Sequence, residues 1–124
     1  MRLDAKAWEN LDAAEHLLAT KTYDTFPNAS ASRAYYAAYL AVANRLLSLG
    51  VAFGSSGYFK HDELPSDARQ YGVLTDDESD DLIVLRVYRV KADYYQDNVD
   101  LEEANQAHQI ARNLVEGLLA QNMP

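Results

Sequence analysis

The chain has 124 residues, 48% hydrophobic and 24% charged, which fits one soluble globular domain with its own core and excludes disorder over the whole length. It contains no cysteine, so disulfide frameworks, thiolate nucleophiles and zinc–cysteine sites are excluded. The net charge of −8 belongs to the second half: residues 63–124 hold thirteen acidic and five basic residues, against six of each in residues 1–62, so neither duplex DNA nor an anionic membrane surface is an expected partner.

No apolar run approaches the ~20 residues that span a bilayer, and the first residues do not read as a signal peptide. A cytoplasmic location is expected. In chain order, residues 3–20 form the first amphipathic pattern, with Ala7, Trp8, Leu11, Ala14 and Leu18 on one face. After a connection from Lys21 to Pro27, Asn28 or Ser30 is a candidate cap for a second helix running to about Leu49. Its inward face is predicted to use Ala31, Ala34, Tyr35, Ala38, Val42, Leu46 and Leu49. Gly50 then stands where a left-handed C′ residue belongs.

Val51 to Lys60, with Gly54, Ser55, Ser56 and Gly57, reads as a mobile loop. A short helix is predicted over Asp62–Tyr71, with Pro65 tolerated in its first turn and Gly72 ending it. Thr75 and Glu78 have capping-box spacing, and the helix they open is predicted to reach about Tyr95. Asp100 to Glu103 opens a last helix to about Ala120, with Ala104, Ala107, Ala111, Leu114 and Leu118 inward. The sum is an all-α protein, an antiparallel bundle of four to five helices in a single domain over residues 1–124.

Four pieces of this chain together resemble the HEPN family (higher eukaryotes and prokaryotes nucleotide-binding). They are the run Ser32-Arg33-Ala34-Tyr35-Tyr36-Ala37-Ala38-Tyr39, the Lys60-His61 pair, Lys91-Ala92-Asp93-Tyr94, and Glu102-Glu103-Ala104 with Ala111 behind it. Their order and spacing match a small prokaryotic HEPN subgroup over nearly the whole chain. The resemblance implies a helical bundle that dimerises. It also implies a link to metal-independent endoribonucleases, many of them toxins encoded beside a minimal nucleotidyltransferase. Their signature is an arginine, four to six residues, then a histidine on the penultimate long helix. In some pairs a tyrosine two residues past that histidine receives AMP.

This chain departs from the signature. After Arg86, positions 91, 92 and 93 are Lys, Ala and Asp; after Arg89, positions 94, 95 and 96 are Tyr, Tyr and Gln. Tyr94 alone fits the tail of the motif, as the candidate modification site, with Ala92 where histidine would stand.

The residues themselves offer several chemistries. Leu82, Arg86, Arg89 and Asp93 share one helical stripe. Arg86 and Arg89 are candidates to grip phosphate, since a guanidinium fork matches phosphate oxygens; the alternative is a charged stripe that pairs with itself. RNA cleavage needs a group that moves protons near neutrality, and His61 is a candidate, the alternative being a packing histidine. Asp93 and Tyr94 are candidates for orienting a phenol acceptor, or for fixing the helix end. Arg33 beside Tyr35, Tyr36 and Tyr39 is a candidate nucleotide or RNA contact, or a structural residue that bonds an acid on the last helix.

No Glu-x-x-His or His-x-x-x-His pair occurs, so no metal or cofactor is expected. The acids between Asp76 and Asp81 are read as complementing a helix N-terminus. The favoured function is a homodimeric HEPN-type nucleotide- or RNA-related binding or accessory protein of a toxin–antitoxin pair. The alternatives are an endoribonuclease using Arg86 and Arg89 with His61, Asp93 or Tyr94 as acid/base, and a purely structural dimerisation domain.

Overall fold

Alanine decides how this chain packs. The second helix carries fully buried alanines at 31, 34, 37, 38 and 41, and side chains this small let neighbouring helices approach closely. A computed structural model describes residues 3–18, 26–52, 54, 57–94 and 98–120. It has α1 (Leu3–Leu18), α2 (Pro27–Ser48), α3 (Leu64–Gln70), α4 (Asp76–Tyr94) and α5 (Leu101–Leu119), and no strand among the described residues. The all-α bundle expected from the sequence is the fold observed.

The centre of the bundle is α2, which packs against all four other helices. Its buried side chains lie all around the helix, from Ala31 and Tyr35 to Ala37, Ala41 and Leu46. A helix buried on several sides needs apolar residues on several sides. By contrast α5 buries one stripe, Ala104, Ala107, Ala111, Leu114, Val115 and Leu119. Of the residues expected to face inward, Leu49 does not: it is the C-cap of α2 and stays half exposed.

Local signals set the helix ends. Neither Asn28 nor Ser30 caps α2. Phe26 is the N-cap and Pro27 opens the helix, where its fixed φ suits the first turn and its missing N–H costs nothing. The Asn28 side chain instead reaches the α4–α5 connection, accepting from the Val99 amide (2.8 Å) and donating to Asn98 (3.0 Å). At the far end Gly50 takes φ +82°. Its amide bonds the Leu47 carbonyl and that of Val51 bonds Leu46, the Schellman pattern that satisfies the last carbonyls of a helix. Gly72 ends α3 in the same way.

Both acid-rich starts are capping boxes. Thr75 and Glu78 exchange side-chain-to-backbone bonds at the start of α4, as do Asp100 and Glu103 at α5. Helix α1 is described to Leu18; the expected extension to residue 20, the connection over 19–25, loop residues 53, 55 and 56, and the α4 extension to Tyr95 lie outside the described residues. The described end of the α2–α3 connection is anchored, because Phe59 is buried and its carbonyl accepts from the Tyr39 hydroxyl (2.7 Å).

Among the described residues two serines are buried, and both are satisfied. Ser30 donates to the Ala14 carbonyl (2.8 Å), joining α2 to α1, and Ser79 donates to the Pro65 carbonyl (3.0 Å), joining α4 to α3. Replacing Ser30 by Ala should lower stability by about 1 kcal/mol, read from urea denaturation. Ser48→Ala, at an exposed serine bonded to the Arg45 carbonyl, should change it by less than ~0.5 kcal/mol.

Candidate functional site

Three elements converge on one corner of the bundle. Helix α2 supplies Tyr35, Tyr36 and Tyr39; the connection before α3 supplies His61; α4 supplies Arg86, Arg89 and Asp93. Residues 26 to 61 positions apart in the chain are thereby brought together by the packing of α4 and the α3 entry on α2.

His61 is held from several sides. Its Nδ1 shares a hydrogen bond with the Tyr35 hydroxyl (2.5 Å). Its ring lies 4.6 Å from that of Tyr39 at 31°, and meets Tyr36 edge-on at 6.1 Å. The Phe59 carbonyl, bonded to Tyr39, fixes the chain two residues before it, and buried Leu64 fixes it three residues after. His61 is partly buried.

Arg89 is a node between helices. Its Nη2 donates to the Tyr36 hydroxyl on α2 (2.8 Å) and to the Tyr94 hydroxyl (3.3 Å). Its guanidinium carbon lies 5.4 Å and 5.2 Å from the centres of those two rings, close enough for cation–π attraction. Nε approaches Asp93 Oδ2 to 3.1 Å, one turn along α4. That contact is ionic rather than an aligned hydrogen bond, since the Nε–H finds no acceptor. Asp93 also accepts from Ser32 on α2 (3.3 Å). Asp93 and Tyr94 are thus joined through Arg89 rather than to each other.

Arg86 is different. Among the described residues it has neither an ion pair nor a side-chain hydrogen bond. It lines a shallow apolar surface with Ile83, Val87 and Val90, and its charge reaches Tyr35 and His61. The expected stripe of Leu82, Arg86, Arg89 and Asp93 therefore grades along α4 from buried, through an available cation, to a cation committed within the protein. Arg33 is not brought to this corner. It is exposed and donates to Asn10 of α1 (3.4 Å), so its partner is a neutral amide and not the acid on α5 that the sequence pointed to.

The electrostatics follow from this placement. Burial pushes the Tyr35 phenol far above its ordinary value, against the pull of Arg86. Burial likewise raises Tyr39. For Arg89, burial opposes the charged form, but Tyr36, Tyr94 and Asp93 outweigh it and hold the guanidinium charged. Burial lowers the His61 pKa from its ordinary 6.5, and the charges of Arg89 and Arg86 lower it further, against Asp62. At neutral pH His61 is a neutral imidazole flanked by two cations. Among the described residues no cluster of three His, Asp or Glu is arranged to hold a metal ion.

The sequence grouped Arg86, Arg89 and Asp93 on one stripe and offered Tyr94 and His61 as further candidates; what it missed is that α2 holds Arg89, Asp93 and His61 together. Ser32 as the partner of Asp93 and Tyr36 as the partner of Arg89 are the missed roles. Their signal was present, since Ser32, Tyr35, Tyr36 and Tyr39 form a polar strip on an otherwise alanine-rich helix.

A lowered His61 pKa has a defined effect on stability. The unfolded chain binds a proton near pH 6.5 while the folded chain resists it. His61 therefore leaves stability unaffected above 6.5 and lowers it as the pH falls from there to the folded pKa. Urea midpoints measured at about pH 7.5 and pH 5.5 should drop less in His61→Gln than in the unaltered protein.

Comparison with known proteins gives one match. The HEPN domain family matches residues 2–121, nearly the whole chain. No curated protein and no solved structure matches. With five helices among the described residues and a family match over residues 2–121, the chain belongs to the HEPN domain family.

Proposed function

We propose that this protein binds a nucleotide or single-stranded RNA through the Arg86 corner, and acts as a homodimeric accessory component of a toxin–antitoxin pair with a minimal nucleotidyltransferase. The observation that carries this reading is Arg86 itself. Among the described residues it is a cation without an internal partner, beside a second arginine and a neutral histidine, on a chain of net charge −8. An acidic protein gains no broad attraction for nucleic acid, so recognition rests on a local fork such as this one. Tyr36 and Tyr94 flank the neighbouring Arg89 at 5.4 Å and 5.2 Å, aromatic side chains of the kind on which bases stack.

The α4 surface supports the homodimer. Ile83, Val87 and Val90 are one turn apart, Ile83 and Val87 are among the most exposed large apolar residues, and Arg86 lies within the patch they form. Docking two copies through this stripe buries the apolar residues and brings two Arg86 corners to one cleft. Tyr94, 67% exposed, is open to a nucleotidyltransferase as an acceptor. The second reading, an endoribonuclease with a non-standard acid/base, is favoured by one fact: His61, not an α4 residue, is the histidine beside the two arginines.

Binding is tested by fluorescence anisotropy with a labelled oligouridylate. Arg86→Ala should weaken binding by about tenfold, the loss of one charge-assisted contact, and reduce the slope of log affinity against log salt by ~0.7. Unchanged affinity would remove the reading. Val87→Asp should convert a dimer to a monomer in light scattering at unchanged helix content; a wild-type protein that is monomeric at every concentration would contradict the dimer. Cleavage of the same oligomer by the unaltered protein, abolished in His61→Gln, would favour the nuclease over the accessory protein.

A further inference from the structure

The groove between α1 and α5 has no part in the function proposed above. Helix α1 lines it with Trp8, Leu11, Asp12 and Glu15, and α5 lines it with Arg112 and Glu116, around a space of about 290 Å³. The floor is apolar, since Trp8 and Leu11 are only 8% and 6% exposed. The rim is charged, and its charges do not balance. Arg112 is held by Glu116 at 2.8 Å, one turn along α5, and also feels the charge of Glu15. Among the described residues neither Asp12 nor Glu15 has an ion pair or a side-chain hydrogen bond of its own.

A second observation does not depend on charge. The indole N–H of Trp8 is buried and has no acceptor. A buried donor without a partner is costly and rare in native proteins. The groove therefore lacks a cation at its rim and an acceptor at its floor. A metal ion answers only the first need, and among the described residues no three His, Asp or Glu are grouped to hold one. A polyamine brings cations and no acceptor. A nucleic acid brings acceptors and the wrong charge. A basic peptide segment brings both, a carbonyl in every peptide unit and a cation on a long apolar stem.

We propose that the α1–α5 groove docks an extended segment of a partner protein that inserts an arginine. The guanidinium lies between Asp12 and Glu15, one turn apart, where its planar fork serves two carboxylates. The stem covers Trp8 and Leu11. A backbone carbonyl of the segment accepts from the Trp8 N–H once the rim side chains part, a rotamer change of the kind that binding commonly brings. The space is just below the usual range for a small-molecule site, which suits one side chain and the peptide unit beside it. A net charge of −8 draws a basic segment and disfavours a second copy of this chain.

Trp8 is the chain's single tryptophan, so its emission reports on the groove. The full chain is titrated with a short capped alanine peptide carrying two arginines, and separately with agmatine, which has a guanidinium and two positive charges but no carbonyl. The peptide should change Trp8 emission saturably and bind about fivefold more tightly than agmatine, the difference expected for one hydrogen bond. In NMR the ring signals of His108, which borders the groove, should shift while those of His61 stay in place. Asp12→Asn with Glu15→Gln should weaken the peptide about tenfold. Asp77→Asn with Asp80→Asn, which removes the same charge from the exposed start of α4, should change it less than twofold. Trp8→Phe, at unchanged helix content, should weaken a labelled peptide about fivefold in fluorescence anisotropy. Four outcomes overturn the inference: no change in Trp8 emission at millimolar peptide, agmatine binding as tightly as the peptide, equal losses in the two pairs of acid variants, or full affinity in Trp8→Phe. Oligouridylate binding is measured alongside and should be the same in Asp12→Asn with Glu15→Gln, so failure at this groove leaves the Arg86 reading standing.

Discussion

Close approach to α2 is the constraint on which everything else in this molecule depends. Alanine at 31, 34, 37, 38 and 41 removes the bulk that would hold neighbouring helices away. Only then can side chains of moderate reach join helices across the interface. The Tyr36 hydroxyl meets Arg89 at 2.8 Å, Ser32 meets Asp93 at 3.3 Å and Ser30 meets the Ala14 carbonyl at 2.8 Å because the backbones lie near one another. Larger residues on α2 would overpack the bundle and part these polar contacts. Packing and site are thus one arrangement.

The same arrangement sorts two arginines three positions apart on α4 into different work. Arg89 is only 15% exposed and its guanidinium is occupied by Tyr36, Tyr94 and Asp93. It fixes α4 on α2 and orders the aromatic wall. Arg86, one turn earlier, faces the apolar strip of Ile83, Val87 and Val90 and has its fork available. A cation drawn into the fold needs partners of its own; Arg89 has them, and Arg86 is the arginine left available to a ligand. His61 enters as a third member, delivered by a connection whose end is fastened by Tyr39 and Leu64.

Much of the fold was legible in the sequence. Helical spacing, two capping boxes and glycines after the second and third helices located five helices within a few residues of their ends, because each is a local signal. The start of α2 was misread, since Pro27 competes with Asn28 and Ser30 and a proline in the first turn wins. The site was legible as a set of residues but not as an arrangement. Arg86, Arg89, Asp93 and Tyr94 follow from spacing on one helix. That His61 joins them depends on how α3 docks on α2, which no local pattern records. Arg33 was misplaced for the same reason: spacing along α2 puts it near the tyrosines, but its side of the helix faces α1.

The most direct test is to map where a nucleic-acid ligand touches the protein. Chemical-shift perturbation on isotopically labelled protein, with oligouridylate added, should concentrate at the Arg86 side-chain N–H, His61, Tyr36 and Tyr94, and leave α1 and the exposed face of α5 unchanged. Perturbations confined to Arg33, or none at saturating ligand, would contradict the assignment of this corner as the binding site.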